Sequence, residues 1–374
     1  MKIPFIKYHT LKILNEFVDE FIPLDLFLSN YFRKNKSIGS KDRKKICEMI
    51  YGITRWKGLI DYLIDKPATF EKRVNFWESF DPSCYQQSNI PAHIRVSFPK
   101  TYYDQIVKSH KEDADKICFD SNFPAPTTIR VNTLKIQRKI LFNRWKNTYN
   151  ISLCNYSKQG IVFHEKINFF ALDEFKKGLF EIQDEGSQLI ASLLDISSTD
   201  LVLDYCAGGG GKTLAFAPKM ENKGQIFLYD IRQTALMQAK KRLKRAGIQN
   251  AQIVLDISNL KKHKKKFDYI LTDVPCSGSG TLRRNPDMKW KFSMDSLKNL
   301  IKEQREIFDR ALTYLKPSGK IIYSTCSILN EENIDQINFF INKYSLKLEQ
   351  KPFISIPKKN QMDGFFAATL SFNK

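Results

Sequence analysis

A short apolar run, Leu201–Tyr205, leads into four consecutive glycines, Gly208–Gly211, and then into helix-forming residues. Similar runs recur at Gln225–Asp230, Gln252–Asp256, Tyr269–Asp273 and Lys320–Ser324, and helical patterns alternate with most of them. That alternation predicts an α/β fold, a doubly wound parallel sheet over residues 191–374. In such a sheet ligands bind at the carboxyl ends of the strands. Glycines there let the backbone approach a ligand closely and free the following helix N-terminus to face it. Asp230 closes the second run, where a carboxylate can hold two ribose hydroxyls or, alternatively, cap the helix starting near Arg232. Asp256 closes the third run and could accept a hydrogen bond from an adenine amino group. The turn is no phosphate loop, because G-x-x-x-x-G-K-[ST] would need glycine where Cys206 stands. Adenosine without a pyrophosphate fits better, which points to S-adenosylmethionine, although dehydrogenases share such turns.

Two further strand ends carry thiols. Cys276 lies in Y-I-L-T-D-V-P-C-S-G-S-G-T and Cys326 in K-I-I-Y-S-T-C-S. A parallel sheet would bring both to one cleft with the glycine turn. Methylation of pyrimidine carbon 5 calls for such groups. That carbon is a poor nucleophile until a thiolate adds at carbon 6 and makes an enamine. A base must later remove the carbon 5 proton so that the cysteine can leave. A carboxyl group near ring nitrogen 3 would stabilise charge developing there, and Asp273 stands three residues before Cys276. Taken singly, each cysteine reads as a small buried hydrophobe. Both at strand ends of a cofactor-binding sheet read as chemistry.

Upstream, residues 1–70 read as a helical domain. Leu11, Ile13, Leu14, Phe17 and Phe21 form one stripe, and Ile46, Met49, Ile50 and Ile53 another, with Ser40 as its cap. Residues 71–124 hold several prolines and read as a helical connector. Residues 125–190 read as a small α+β module: a strand at T-T-I-R-V-N-T-L, a basic helix near Lys135–Trp145, and strands near 160–172. Within 191–374, helices are expected at Ala235–Ala246, capped by Gly247, and from Leu297 to Leu315, stopped by Pro317 and Gly319. The first should bury Leu236, Ala239 and Leu243 and carry Lys240, Lys241, Arg242, Lys244 and Arg245 outward.

The chain has 374 residues, 60 Lys+Arg against 40 Asp+Glu and a net charge of +20. That excess favours a polyanion such as nucleic acid, or else reflects a lysine-rich genome. Seven scattered cysteines form no C-x-x-C pair and suggest reduced thiols in a cytosolic compartment. Five histidines form no ligand cluster, so no metal is expected. No run approaches the roughly 20 apolar residues of a spanning helix, and Asp19, Glu20 and Asp25 interrupt any leader-like segment. A cytoplasmic monomer is expected. The K-K-H-K-K-K run at 261–266 reads as a solvated loop or an RNA contact.

The residues resemble the Sun/nucleolar-protein family of RNA cytosine-5 methyltransferases over roughly 120–374. C-A-G-G-G-G-K-T is similar to that family's cofactor turn, L-T-D-V-P-C-S-G-S-G-T-L-R-R-N-P-D to its proline-cysteine motif, and Y-S-T-C-S to its threonine-cysteine motif. Q-D-E-G-S-Q at 183–188 and D-G-F-F at 363–366 resemble flanking signatures. The resemblance implies a Rossmann-like class I methyltransferase sheet. It implies Cys326 as nucleophile, Cys276 as the thiol that helps release product, and Lys212 and Asp273 beside the reacting base. It places Cys206, Ala207, Gly208, Gly209, Gly210, Gly211, Lys212, Asp230, Asp256 and Asp273 around S-adenosylmethionine. Gly208-Gly209 replace the Ala-Pro of many members. The run S-K-D-R-K-K-I-C-E-M-I-Y-G-I-T-R-W resembles an antitermination-factor-like (NusB-like) RNA-binding domain, with Arg43, Lys44, Lys45 and Arg55 either on RNA or on a solvated face. Arg130 and Asn132 could contact RNA or bridge two domains. Arg283 and Arg284 could reach a phosphate or a flipped base; Trp290 reads as a packing residue. The expected substrate is small-subunit rRNA. The alternatives are tRNA, a non-catalytic ribosome-assembly factor, and an oxidoreductase using the same turn.

Overall fold

A computed structural model describes residues 4–18, 22–86 and 89–373. The chain divides into two compact units. The first takes in the described residues up to Pro124 together with Thr281–Ser296; the second takes in Ala125–Gly280 and the described residues from Leu297 on. The first unit is helical: Phe5–Phe17, Leu24–Lys34, Ser40–Leu63, Phe70–Trp77, Lys100–His110 and Ala114–Asp120. Ile13, Leu14, Leu24, Leu28, Ile46, Ile50 and Ile53 bury the periodic faces in a common core. Phe21, expected on the first stripe, lies outside the described residues, as do Asp19 and Glu20. Ser40 begins its helix but caps nothing; Gly39 occupies the cap position. The stretch expected to be a connector is part of this helical unit, and so is the segment after the Cys276 turn. Lys289 Nζ, buried there, donates to Arg55 O at 2.6 Å and Asn122 Oδ1 at 2.5 Å. Trp290 Nε1 donates to Thr54 O at 2.7 Å.

The second unit holds two sheets. Strands β1 (Thr127–Val131), β2 (Ile151–Leu153), β3 (Gly160–Phe163) and β4 (Phe180–Ile182) form an antiparallel sheet in the order β2-β3-β1-β4. Leu141 and Trp145, from the helix Arg138–Trp145, pack over Ile129, Ile161 and Phe180. The larger sheet uses β5 (Leu201–Asp204), β6 (Gln225–Tyr229), β7 (Ala251–Val254), β8 (Phe267–Asp273), β9 (Leu315–Thr325), β10 (Leu346–Leu348), β11 (Phe353–Ser355) and β12 (Phe365–Phe372). Its order is β10-β12-β9-β8-β5-β6-β7, with β11 also on β12. Strands β5 to β9 run parallel, and β12 runs antiparallel to β9.

Alternate residues of each strand point to opposite faces. Leu203 and Phe227 face one core with Phe308 and Phe340, while Val202 and Ile226 face the other with Leu214, Leu236 and Leu243. Helices therefore cover both faces, the doubly wound, Rossmann-like arrangement expected. The helix Gln233–Ala246 buries Leu236, Ala239 and Leu243 and ends at Gly247, whose φ of +79° suits glycine. The helix Met294–Leu312 stops earlier than expected. Leu315, Pro317 and Gly319 belong to the irregular entry of β9, where the register with β8 shifts; proline is tolerated at such a bulge. Among the described residues no helix is long and apolar enough to cross a membrane.

Candidate active site

The parallel strands reverse their order between β5 and β8, and ligands of doubly wound sheets bind at that switch point. A cavity of about 970 Å³ opens there, entirely within the second unit, at the carboxyl ends of β5, β6, β8 and β9. Its wall includes Cys206, Ala207, Gly208, Gly209, Gly211 and Lys212 from the glycine turn, and Asp230, Asp273, Cys276 and Cys326 from the other strand ends.

The turn is held from outside. Arg242 Nη1 donates to Gly209 O at 2.7 Å, and Arg130 Nη1 and Gln183 Nε2 each donate to Gly211 O at 3.1 Å. Arg130 also donates to Gln183 Oε1. Gly208 and Gly210 have φ of +51° and +75°, and a Cβ at Gly210 would crowd that of Ala239 at 3.1 Å. Gly210 thus serves packing on the helix rather than the cavity wall. Asp230 Oδ2 accepts from Gly208 N–H at 2.8 Å, and its Oδ1 accepts from Arg232 N–H at 2.8 Å. Burial opposes its ionisation, but the donors of Arg232 and Gly208 outweigh that and hold the carboxyl below its ordinary range. Asp230 lies on the cavity wall and closes the turn onto Arg232, but the cap position of the helix is Arg232 itself.

Lys212 Nζ pairs with Asp273 Oδ2, while Asp273 Oδ1 accepts from Ser324 Oγ at 3.0 Å. The sulfurs of Cys276 and Cys326 lie 3.3 Å apart. The Cys276 thiol is pushed well up, first by its hydrogen bond with Cys326, then by burial and by the charges of Cys326 and Glu332. Burial also raises the Cys206 thiol, reinforced by Asp204 and Asp273. The backbone of the Cys276 turn meets the D-G-F-F segment: Gly364 N–H donates to Gly280 O at 2.8 Å, and a Cβ at Gly280 would overlap Gly364 O. Asp184 of Q-D-E-G-S-Q caps its own helix at Gly186 N–H.

Other candidates are placed elsewhere. Asp256 is exposed and absent from the cavity wall; it caps the turn Ile257–His263, accepting from Ser258 N–H and Oγ. Arg130 is buried as described. Asn132 is buried too, donating to Gly178 O at 2.9 Å and Ala246 O at 2.8 Å. Arg130 therefore ties the small sheet to the glycine turn and Asn132 ties it to the end of the helix Gln233–Ala246, the bridging reading, and neither presents a surface to a polyanion. Arg283 is 1% exposed in the first unit and donates to Phe123 O and Pro124 O; a guanidinium so enclosed cannot reach a phosphate. Arg284 is exposed. Of the basic residues near 43–55, Lys44 and Lys45 are exposed, Arg43 donates to Ile38 O and Arg55 to Arg283 O. Arg242 and Arg245 do not face outward; they close on Glu181. Lys261, Lys262, Lys264, Lys265 and Lys266 are exposed.

Sequence reasoning missed Asp204 and Glu332. Asp204 is buried on the cavity wall, with Oδ2 accepting from Thr213 Oγ1 at 2.6 Å and Oδ1 without a partner. Burial chiefly pushes it up to about 7, helped by Asp273. Its position as the last residue of β5, before the glycine turn, was the available signal. None of the seven cysteines forms a disulfide. No group of three or more His, Cys, Asp or Glu able to hold a metal occurs among the described residues.

Residues 191–371 match the family model described as 16S rRNA methyltransferase RsmB/F, and residues 98–169 match the ferredoxin-like domain of RsmF/B-like methyltransferases. The ribosomal RNA small subunit methyltransferase B of Photorhabdus laumondii is 31% identical over 296 residues, covering 76% of this chain and 68% of the relative. That of Pseudomonas syringae is 30% identical over 256 residues, covering 67% of this chain; the chain spans only 57% of that relative's length. A crystal structure of PH0851 superposes with a TM-score of 0.81 over 99% of both chains, at 21% identity, a likeness of fold. A methyltransferase homolog protein from Pyrococcus horikoshii superposes at 0.65 with 27% identity, over 79% of this chain and 100% of that one. With its proline-cysteine and threonine-cysteine turns meeting over a glycine turn, the chain belongs to the RsmB/F family of 16S rRNA methyltransferases.

Proposed function

We propose that this chain transfers a methyl group from S-adenosylmethionine to carbon 5 of a cytosine in small-subunit rRNA. The observation that carries the reading is the pair of sulfurs 3.3 Å apart beside the Lys212–Asp273 pair, on the wall of the cavity under the glycine turn. Covalent activation of a pyrimidine requires a thiolate at the substrate face; one of these sulfurs supplies it, and the second assists its departure.

The residues present fit S-adenosylmethionine. The cavity is of ligand size, and Asp204 on its wall keeps a buried Oδ1 without a partner. The glycine turn, Asp230 and Lys212 would hold the cofactor, which when bound supplies an electrophilic methyl group. Cys326, as thiolate, adds to carbon 6 of the base. Asp273, steadied by Lys212 and Ser324, sits where charge at ring nitrogen 3 would develop. After methyl transfer a base takes the carbon 5 proton, the electron pair left behind expels Cys326 from carbon 6 as thiolate, and Cys276 assists that departure. The cytosine must be unpaired or flipped out for a thiol to reach carbon 6. The exposed lysines and the net charge of +20 support recruitment of RNA with strong salt dependence.

The test is methyl transfer from labelled S-adenosylmethionine to precursor or naked rRNA, with bisulfite sequencing of total RNA with and without the protein. One cytosine lost from the protected set in its absence is expected. Tight RNA binding with no transfer to any RNA would mark an assembly factor instead, transfer confined to tRNA would move the substrate, and calorimetric binding of NAD but not S-adenosylhomocysteine would sink the reading.

A further inference from the structure

We infer that Glu332 is the positioning residue that makes the two cysteines unequal, anchoring the Cys276 turn with a carboxylate while neutral groups hold the Cys326 turn. This rests on the proposed division of labour between the thiols. Glu332 is fully buried. Its Oε1 accepts from Ser277 N–H at 2.8 Å and from Gln304 Nε2 at 3.0 Å, and its Oε2 accepts from Ser277 Oγ at 2.5 Å. Gln304 Nε2 also donates to Pro275 O at 3.0 Å. The residues on both sides of Cys276 are therefore tied to one buried acid, directly or through one amide. Among the described residues no cation pairs with Glu332.

The neighbouring residue does the corresponding work for the other thiol without charge. Asn333 Oδ1 accepts from Thr325 Oγ1 at 2.6 Å, and Asn333 Nδ2 donates to Ser327 O at 2.9 Å. Gly280 N–H donates to Cys326 O at 2.9 Å. One short segment thus underlies both turns, with an anion under Cys276 and an amide under Cys326.

The consequence is electrostatic. A thiolate at Cys276 would stand beside the buried carboxylate, and like charges at short range oppose ionisation. Cys326 ionises first, and Cys276 stays a neutral thiol against it at 3.3 Å. The other groups around the pair include the Tyr323 phenol, the Cys206 thiol, the Lys212–Asp273 pair and, from the helix Met294–Leu312, Glu303, Arg305, Glu306 and Arg310. None of these is bonded to a residue adjoining Cys276, whereas Glu332 is.

Alkylation by iodoacetamide, with site-resolved mass spectrometry across a pH series, tests this without RNA or cofactor. In the unmodified protein near neutral pH, Cys326 should react at least about tenfold faster than Cys276; equal or reversed rates would overturn the inference. In a Cys326→Ser background, Glu332→Gln keeps the volume and removes the charge. The apparent pKa of Cys276 should then fall by about one unit, raising its thiolate fraction about tenfold and its rate about threefold once lower intrinsic nucleophilicity is counted. Glu332→Asp should keep the value raised. An unshifted profile in Glu332→Gln, with thermal unfolding showing an intact fold, would reduce Glu332 to a structural part. Methyl transfer is measured separately, so failure of the proposed reaction and failure of this assignment give different results.

Discussion

The glycine turn after β5 is gripped by cations, the Cys276 turn after β8 by an anion. Arg130 and Arg242 take the carbonyls of Gly211 and Gly209, while Glu332 takes the N–H and hydroxyl of Ser277. On the proposed mechanism, the chemistry asked of each turn explains the difference. A cofactor turn needs its backbone fixed, and guanidiniums bonded to carbonyls do that with planar, directional donors. A thiol that must stay protonated beside a thiolate needs a negative charge at its back.

The comparison breaks most visibly at the thiols. Cys326→Ala should abolish methyl transfer, by about 10⁴-fold or more, and with it any covalent RNA adduct. Cys276→Ala should instead let a denaturant-stable protein–RNA adduct accumulate, seen on denaturing gels with labelled RNA. An adduct that persists in Cys326→Ala and vanishes in Cys276→Ala would reverse the roles and the reason for an anion under Cys276.

On the cofactor side, Arg130→Ala should destabilise the protein by about 3 kcal/mol, because Gly211 O and Gln183 lose a buried charged donor. S-adenosylhomocysteine should bind about tenfold more weakly, measured by calorimetry. Unchanged affinity would show that the turn holds its shape without the clamp.

Asp204 offers a pH test between the two halves. Its folded value of about 7 exceeds the ordinary 3.8, so the folded chain keeps a proton that the unfolded chain releases. Its contribution to stability is present below the unfolded value and lost as pH rises through about 7. Asp204→Asn should therefore gain on the order of 2 kcal/mol at about pH 8, shrinking towards nothing near pH 4, in denaturant titrations. A pH-independent gain would contradict the raised value. The smallest effect is expected at Asp256. Both its oxygens serve Ser258, so Asp256→Ala should leave affinity for S-adenosylhomocysteine within about twofold. A tenfold loss would restore the adenine contact read from the sequence.

The readable part of the site was local. A strand, glycines and a helix in series make a turn wherever they occur, and short apolar runs such as Leu201–Asp204 declare themselves without knowledge of neighbours. Boundaries were less legible: the helix after Leu297 ends at Leu312 because β9 recruits Leu315 through an irregular pairing that no window of sequence reveals. Charged residues were the least legible. Arg242 and Arg245 lie on a lysine-rich helix face and look solvated, yet they close on Glu181, some sixty positions away. Arg283 looks free to meet RNA and is enclosed by carbonyls of Phe123 and Pro124.

The sequence by itself determined the alternating strands and helices, the glycine turn, and two thiols and a carboxylate at strand ends, because each follows from short-range periodicity and backbone geometry. Only the tertiary structure decided which charges serve the site. Arg130 meets Gly211 81 positions on, and Ser277 meets Glu332 across 55. A buried charge is tolerated only where partners satisfy it, and those partners come together only when the sheet is built.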